Sequence, residues 1–217
     1  MDRVRAPRQK RSEATLTRLV EATRRLLAEK PFDDITINEI VVEAEASVGA
    51  FYARFGDKEA LLEHLKEAVA REAADDTERT LASRDWESAP LEILAREYVH
   101  GLVRQHRAHT GTLRALASRR ISARAAGDRA DSVVIQPTLL ADLIRRRRSE
   151  IGHPNPDVAV HLGLSMVTSA VRDRVLFPEL SAGGPAAPSP VTDAVFIEEL
   201  TRAFLGFLGV RPGGRTR

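Results

Sequence analysis

The chain has 217 residues, 43% of them hydrophobic and 29% charged, with a formal net charge of +2. That length and balance suit one moderate or two small globular domains with ample material for a core. No run approaches the roughly 18 uninterrupted apolar residues of a membrane span, and the absence of Cys excludes disulfides and thiolate metal sites.

Residues 1–11 carry Arg3, Arg5, Arg8, Lys10 and Arg11 against Asp2 alone and read as a flexible basic arm. No apolar run follows it, so a signal peptide is not expected and a cytoplasmic location is. Leu16, Leu19, Val20, Thr23, Leu26 and Leu27 then form the stripe of a helix that ends near Lys30-Pro31. Thr36 with Glu39 three residues on spells a capping box, and Ile35 with Ile40 a hydrophobic staple. Ile37, Ile40, Val41 and Ala44 give the next helix a buried face. Ser47 is placed to cap a further helix that buries Phe51 and Phe55, spaced four residues apart. Gly56-Asp57 ends it, and Asp57 can cap a long helix running from Lys58 to about Leu81. Two short helices joined by so tight a turn must cross, which leaves the second projecting where a DNA groove can receive it.

The remainder repeats the helical period. A break at Ser83 to Pro90 precedes a stripe through Leu91, Leu94, Ala95, Tyr98, Leu102 and Val103. A short helix near Leu113 to Arg119, a Gly127-containing loop and a helix from Val134 to Arg148, with Pro137 near its start, follow. Gly152 to Pro156 is a stop. Val158, Leu162, Met166, Val167, Ala170, Val171 and Leu176 mark the next helix, and Ser181 to Pro190 reads as a mobile loop. Val195, Phe196, Leu200, Phe204, Leu205, Phe207 and Leu208 mark the last helix, before a disordered tail at 211–217. No segment carries a strand pattern, so the fold expected is all-α. Its parts are a helix-turn-helix domain at 12–65 and a larger helical domain at 66–210.

The residues from Thr36 to Leu61 resemble the DNA-binding region of the TetR family of bacterial transcriptional regulators. Thr36, Ile40, Ala44, Ser47, Gly49, Tyr52, Phe55, Lys58 and Leu61 carry the resemblance, which covers about residues 12 to 65. It implies a homodimer whose second helix, Ser47 to Phe55, enters the major groove of a palindromic operator. Thr36, Tyr52 and Lys58 match positions that contact phosphate. Asn38, Val48, Gly49, Ala50 and Ala53 match positions that approach base edges. This chain departs from the family there, because Val48, Ala50 and Ala53 cannot form bidentate hydrogen bonds to guanine or adenine and can only pack against thymine methyl groups. Direct readout then falls on Ser47, Asn38 and Arg54, with the rest left to DNA shape. From Ser12 to Leu65 six Lys/Arg face eleven Asp/Glu. Binding must therefore rest on a few placed donors and the basic arm.

The last two predicted helices are apolar over more than a stripe, so they either centre their own domain or also pack on a partner. Gly163, Ser165, Ser169 and Ala170 would permit close helix approach. By resemblance they pair with their copies, and Leu162, Met166, Val167, Ala170, Phe204, Phe207 and Leu208 are the interface expected. Trp86, Tyr98, Leu102, His106, Leu113, Met166 and Phe177 are candidates to line a small-molecule effector pocket, and equally a core. His100, His106 and His109 lack carboxylate or Cys company at ligand spacing, so an ordinary polar role is expected and no metal or cofactor. Arg145 to Arg148 reads as a solvated end that compensates the helix dipole. No nucleophile elbow, phosphate loop or paired-carboxylate motif suggests an enzyme. The reading reached is a ligand-released repressor. Its alternative is a constitutive dimeric DNA-binding protein without an effector.

Overall fold

The structure, a computed structural model, describes the backbone of residues 5–125, 138–178 and 191–210, with side chains from residue 12 and outside 121–138. Every regular element among the described residues is helical: α1 (Arg5–Glu29), α2 (Ile37–Glu43), α3 (Val48–Tyr52), α4 (Lys58–Ala82), α5 (Leu91–Ala108), α6 (Thr110–Ala125), α7 (Thr138–Arg146), α8 (Pro156–Leu176) and α9 (Asp193–Leu208). Single 3-10 turns at Phe32–Asp34 and Arg148–Glu150 complete the set. The helix begins at Arg5, so residues 5–11, expected as a flexible arm, are its first turns; Pro7 is tolerated so close to the start because the first amides need no intrahelical partner. The Gly127 loop, Pro137, the loop at 181–190, the tail at 211–217 and residues 1–4 lie outside the described residues.

The chain divides into two compact units. The first holds α1, α2, α3, α4 as far as Val69, and α6. Its core is built from Leu19, Leu27, Phe32, Ile35, Ile40, Phe51, Leu61 and Leu65, to which α6 adds Ala115 and Leu116. Residues 110–125 were expected in the C-terminal domain. They pack here because Gly111 lets α6 lie directly on the end of α1: a Cβ at that position would stand 2.6 Å from the Leu27 carbonyl oxygen. Farther along α6, Arg119 reaches Glu59 at 2.9 Å and Asp33 at 3.6 Å. It also lies 5.8 Å from the centre of the Phe32 ring.

The second unit holds residues 70–109 and the segment from 134 onward. Helix α5 is its axis and buries Leu94, Ala95, Tyr98, Val99, Leu102 and Val103 against α8 and α9. The Tyr98 hydroxyl is 3.2 Å from Thr168 Oγ1 and its ring 6.4 Å from that of Phe204. Helices α8 and α9 approach closely at Gly163, where a Cβ would fall 2.5 Å from Phe204 Cε2.

Arg145 to Arg148 are not merely solvated. Arg145 pairs with Asp142 at 2.6 Å, Arg146 with Glu87 at 3.1 Å, and Arg148 with Asp157 at 2.8 Å. Arg147, bound to Glu150 at 2.7 Å, also donates to the carbonyls of Trp86 at 3.2 Å and Ala89 at 2.9 Å, and to that of Glu87. One guanidinium thereby satisfies three carbonyls of the α4–α5 turn, a task that the sequence run does not disclose.

Candidate nucleic-acid interface

Helix α2 starts where its local sequence dictates. Thr36 Oγ1 accepts the Glu39 amide at 3.2 Å, while the Glu39 carboxylate accepts the Thr36 amide at 2.9 Å and the Thr36 hydroxyl at 2.9 Å. Lys30 Nζ stands 2.5 Å from the other carboxylate oxygen. The Lys30 hydrogen bond, followed by those of Thr36, holds the Glu39 carboxyl down at about 2. The helix ends with the Ala46 amide bonded to Val41 O at 2.8 Å and the Glu45 amide to Val42 O at 3.1 Å. That double closure places Glu45 at φ 49°, the left-handed position usually left to glycine.

Ser47 then opens α3 by accepting the Ala50 amide at 3.1 Å. Phe51 is fully buried and packs on Phe55 at 5.6 Å, which turns the opposite side of α3 outward. On that side Val48 and Tyr52, one turn apart, are 42% and 54% exposed, and Gly49 and Ala53 are exposed as well. Ala50 is half-buried. In α2, Asn38 is exposed and Val42, one turn further on, is 77% exposed. Val42 was missed in the sequence reading. The signal was available: of the adjacent valines only Val41 fits the stripe of Ile37, Ile40 and Ala44.

The two long cations are occupied. Arg54 was expected to read bases, but its guanidinium donates to Ala50 O at 2.8 Å, Ser12 O at 2.8 Å and Ser12 Oγ at 3.0 Å. It staples α3 to α1. Lys58 was expected on phosphate, but its ammonium donates to Phe32 O at 2.9 Å, Ile35 O at 2.8 Å and Asp33 O at 3.2 Å. An ammonium has three protons, and three carbonyls take them. Thr36 likewise spends its hydroxyl on its cap, and Ser47 Oγ accepts one cap amide. Among the residues expected at the DNA, Asn38, Val48, Gly49, Tyr52 and Ala53 form the outward surface.

Residues 19–65 match the family model described as bacterial regulatory proteins, tetR family. Residues 19–65 belong to a TetR-family DNA-binding domain. The matched stretch contains α2, the turn at Glu45 and α3 entire, so the exposed side of α3 lies within the part of the chain that the family model describes. No curated protein matches the chain. Among solved structures, a Mesorhizobium loti protein assigned to the TetR family of transcriptional regulators is 18% identical with a TM-score of 0.63, over 92% of this chain and 97% of that one. A TetR-family regulator from Pseudomonas syringae pv. tomato is 17% identical with a TM-score of 0.57, over 88% and 94%. At this identity the likeness extends the TetR-type fold, though not a ligand, across the chain.

The remaining expected residues of the TetR-type chain are spread over its two units. Tyr98, Leu102 and His106 are buried on α5, with His106 Nδ1 2.8 Å from Leu102 O. Burial, chiefly, holds the His106 imidazole below its usual range. Phe177 closes the end of α8, half-buried, and Leu113 belongs to the first unit. Trp86 is buried with its indole N–H on Thr80 O at 2.9 Å. It is the one expected pocket residue on a polar cleft of about 270 Å³, whose other walls include Asp76, Arg79, Arg84, Glu97 and Arg104. His100 lies 3.0 Å from Arg104 and His109 3.6 Å from Glu72. Among the described residues no group of three His, Cys, Asp or Glu is placed to hold a metal.

Of the residues expected between protomers, Val167, Phe204 and Leu208 are buried within their own unit, so they are core. Ala170 and Phe207 are half-buried, while Leu162 and Met166 are exposed and are joined by Val158, which the sequence reading left out. These three stand one turn apart along a single side of α8. No described helix is long and apolar enough to cross a membrane.

Proposed function

We propose that this TetR-type regulator is a homodimeric repressor that leaves its operator when a small molecule enters the second unit. The observation that carries the reading is the pairing of an exposed reading helix with an unpartnered apolar row, Val158, Leu162 and Met166. A regulator with one reading helix per protomer needs a two-fold partner to hold two such helices about one DNA turn apart. The apolar row on α8 is the surface for that partner. A palindromic operator and a cytoplasmic location follow from the same reading.

An effector site in the second unit is supported by the polar groups that α5 carries into its core. Gln105 gives its amide N–H to Asp76 at 2.7 Å, yet its Oε1 is buried without a hydrogen-bond partner. A buried acceptor left so is an opening for a ligand donor. Helix α4 contributes residues 58–69 to the DNA-binding unit and 70–82 to the other, which makes it the element through which occupancy would alter the spacing of the α3 helices.

The test is footprinting by the full-length protein on the intergenic DNA beside its own gene, with candidate ligands added. Protection of a palindrome that is lost on adding ligand supports the proposal. Coupling of about 1–3 kcal/mol would lower operator affinity roughly 5- to 150-fold, and operator must weaken ligand binding by the same factor. Protection unaltered by any ligand that binds leaves a constitutive regulator.

A further inference from the structure

The outward surface of α3 has lost the chemistry by which proteins commonly read guanine and adenine. Bidentate recognition needs the fork of an Arg or the amide of an Asn or Gln within reach of the base edge. Arg54, the one guanidinium between Ser47 and Phe55, is folded back onto Ala50 O, Ser12 O and Ser12 Oγ. Releasing it would break the staple between α3 and α1 and hand its acceptors to water. Ser47 Oγ accepts the Ala50 amide at the start of a helix only five residues long, and a single hydroxyl held there cannot supply a bidentate pair to a base edge. What remains at the N-terminal end of α3, the end that such helices present to base edges, is Val48, with Gly49 beside it.

Gly49 has nothing but Ser47 Oγ, at 3.9 Å, near the place its Cβ would occupy, so no packing inside the domain requires a glycine there. The absent side chain leaves a shallow step next to the Val48 methyls. An apolar group beside such a step matches one feature of the major-groove edge, the thymine 5-methyl, the sole apolar group that the four bases display there.

We propose that Val48 is a specificity-determining residue that selects thymine by its 5-methyl group, so that this regulator discriminates thymine from uracil at one position of each half-site. The proposal rests on the DNA-binding reading of α3 and adds the identity of the base it selects. Asn38 and Tyr52 supply polar contacts around that position, while sequence elsewhere in the site is read through shape.

The full-length protein is used to select duplexes from a pool with a randomised core two helical turns long. The enriched duplex is then remade with deoxyuridine for thymidine at each position in turn. Deleting the methyl leaves every hydrogen-bonding group of the base intact. The expected result is one thymine per half-site whose replacement weakens binding about fourfold, the value of one buried methyl, and about fifteenfold when both half-sites are changed. Val48→Ser, which puts a hydroxyl in place of the two methyls, binds the two versions more nearly alike and keeps the helical circular-dichroism spectrum of the wild type. Equal affinity for thymine and uracil at every position overturns the proposal and leaves DNA binding standing. So does a uracil penalty of the same size in Val48→Ser, or a site ruled by guanines that Arg54→Lys relaxes. Failure to enrich any duplex removes the DNA-binding reading itself.

Discussion

Lys58 and Phe32 meet twice: the ammonium donates to the Phe32 carbonyl at 2.9 Å and lies 4.6 Å from the centre of its ring. The same nitrogen takes the carbonyls of Asp33 and Ile35, so the first residue of α4 caps the 3-10 turn that delivers the chain to α2. A lysine at this place in a TetR-type domain is expected on DNA phosphate, and here it acts as internal scaffolding.

Lys58→Met keeps the aliphatic stem and removes the charge. It should lower the unfolding free energy by about 2 kcal/mol, since hydrogen bonds to a charged donor contribute about 1.5–3 kcal/mol. The slope of log affinity against log salt should stay as in the wild type, because no phosphate contact is lost. Denaturant melts and salt titrations on operator DNA measure the two. A wild-type melt with a slope flatter by about one unit would return Lys58 to the phosphates.

The turn between α2 and α3 offers a stabilising change. Glu45 sits at φ 49° in a helix-closing position where glycine carries no steric penalty. A side chain held there costs about 1–2 kcal/mol, and glycine's extra freedom in the unfolded chain offsets about 0.5–1 kcal/mol of the gain. Glu45→Gly should therefore raise stability by about 0.5–1 kcal/mol in urea melts without altering operator affinity. A destabilised Glu45→Gly would mean that the carboxylate contributes to the turn.

The caps, the Phe51/Phe55 stripe and the short turn between α2 and α3 were legible in the sequence because each depends on neighbours within four residues. The destinations of Arg54 and Lys58 were not. A long flexible cation goes to whichever carbonyls tertiary packing leaves open, and those belong to Ser12 and Phe32, far away in the chain. The same limit applies to α6, which joins the first unit through Gly111 and Arg119, and to α8 and α9. Their broad apolar surface announced burial, but not that Phe204 fills the notch at Gly163 while Met166 faces outward.

His106 and Glu39 contribute to the acid side of the stability profile, beside Asp76, Asp85 and Asp193, whose carboxyls are also held below their ordinary range. His106 has a folded value below its ordinary 6.5, chiefly through burial, so the unfolded chain binds its proton first. Stability should be full above pH 6.5 and fall as the pH drops below it. Glu39, depressed from 4.5 to about 2, adds a second loss between those values as its capping box is protonated. His106→Leu should flatten the first limb and Glu39→Gln the second, each followed by urea melts across pH. A first limb that persists in His106→Leu would assign it to another group.

The final prediction separates the core of the second unit from its partner surface. Phe204 is 2% exposed and fills the space over Gly163, so Phe204→Arg buries an unpaired guanidinium inside the protomer itself. It should give aggregated or unfolded protein, which says nothing about association. Met166 is 53% exposed and Leu162 46%, on one side of α8. Met166→Arg leaves the protomer intact, and at a two-fold interface it sets two like charges where two apolar side chains met. The expected outcome is a folded, helical monomer in light scattering at micromolar concentration, with its melting transition shifted down and its operator affinity reduced, because a monomer reaches one half-site at a time. Leu162→Arg should behave in the same way. If both variants remain dimers with wild-type operator affinity, the row Val158, Leu162 and Met166 is not the partner surface, and the repressor reading must find its two-fold axis elsewhere.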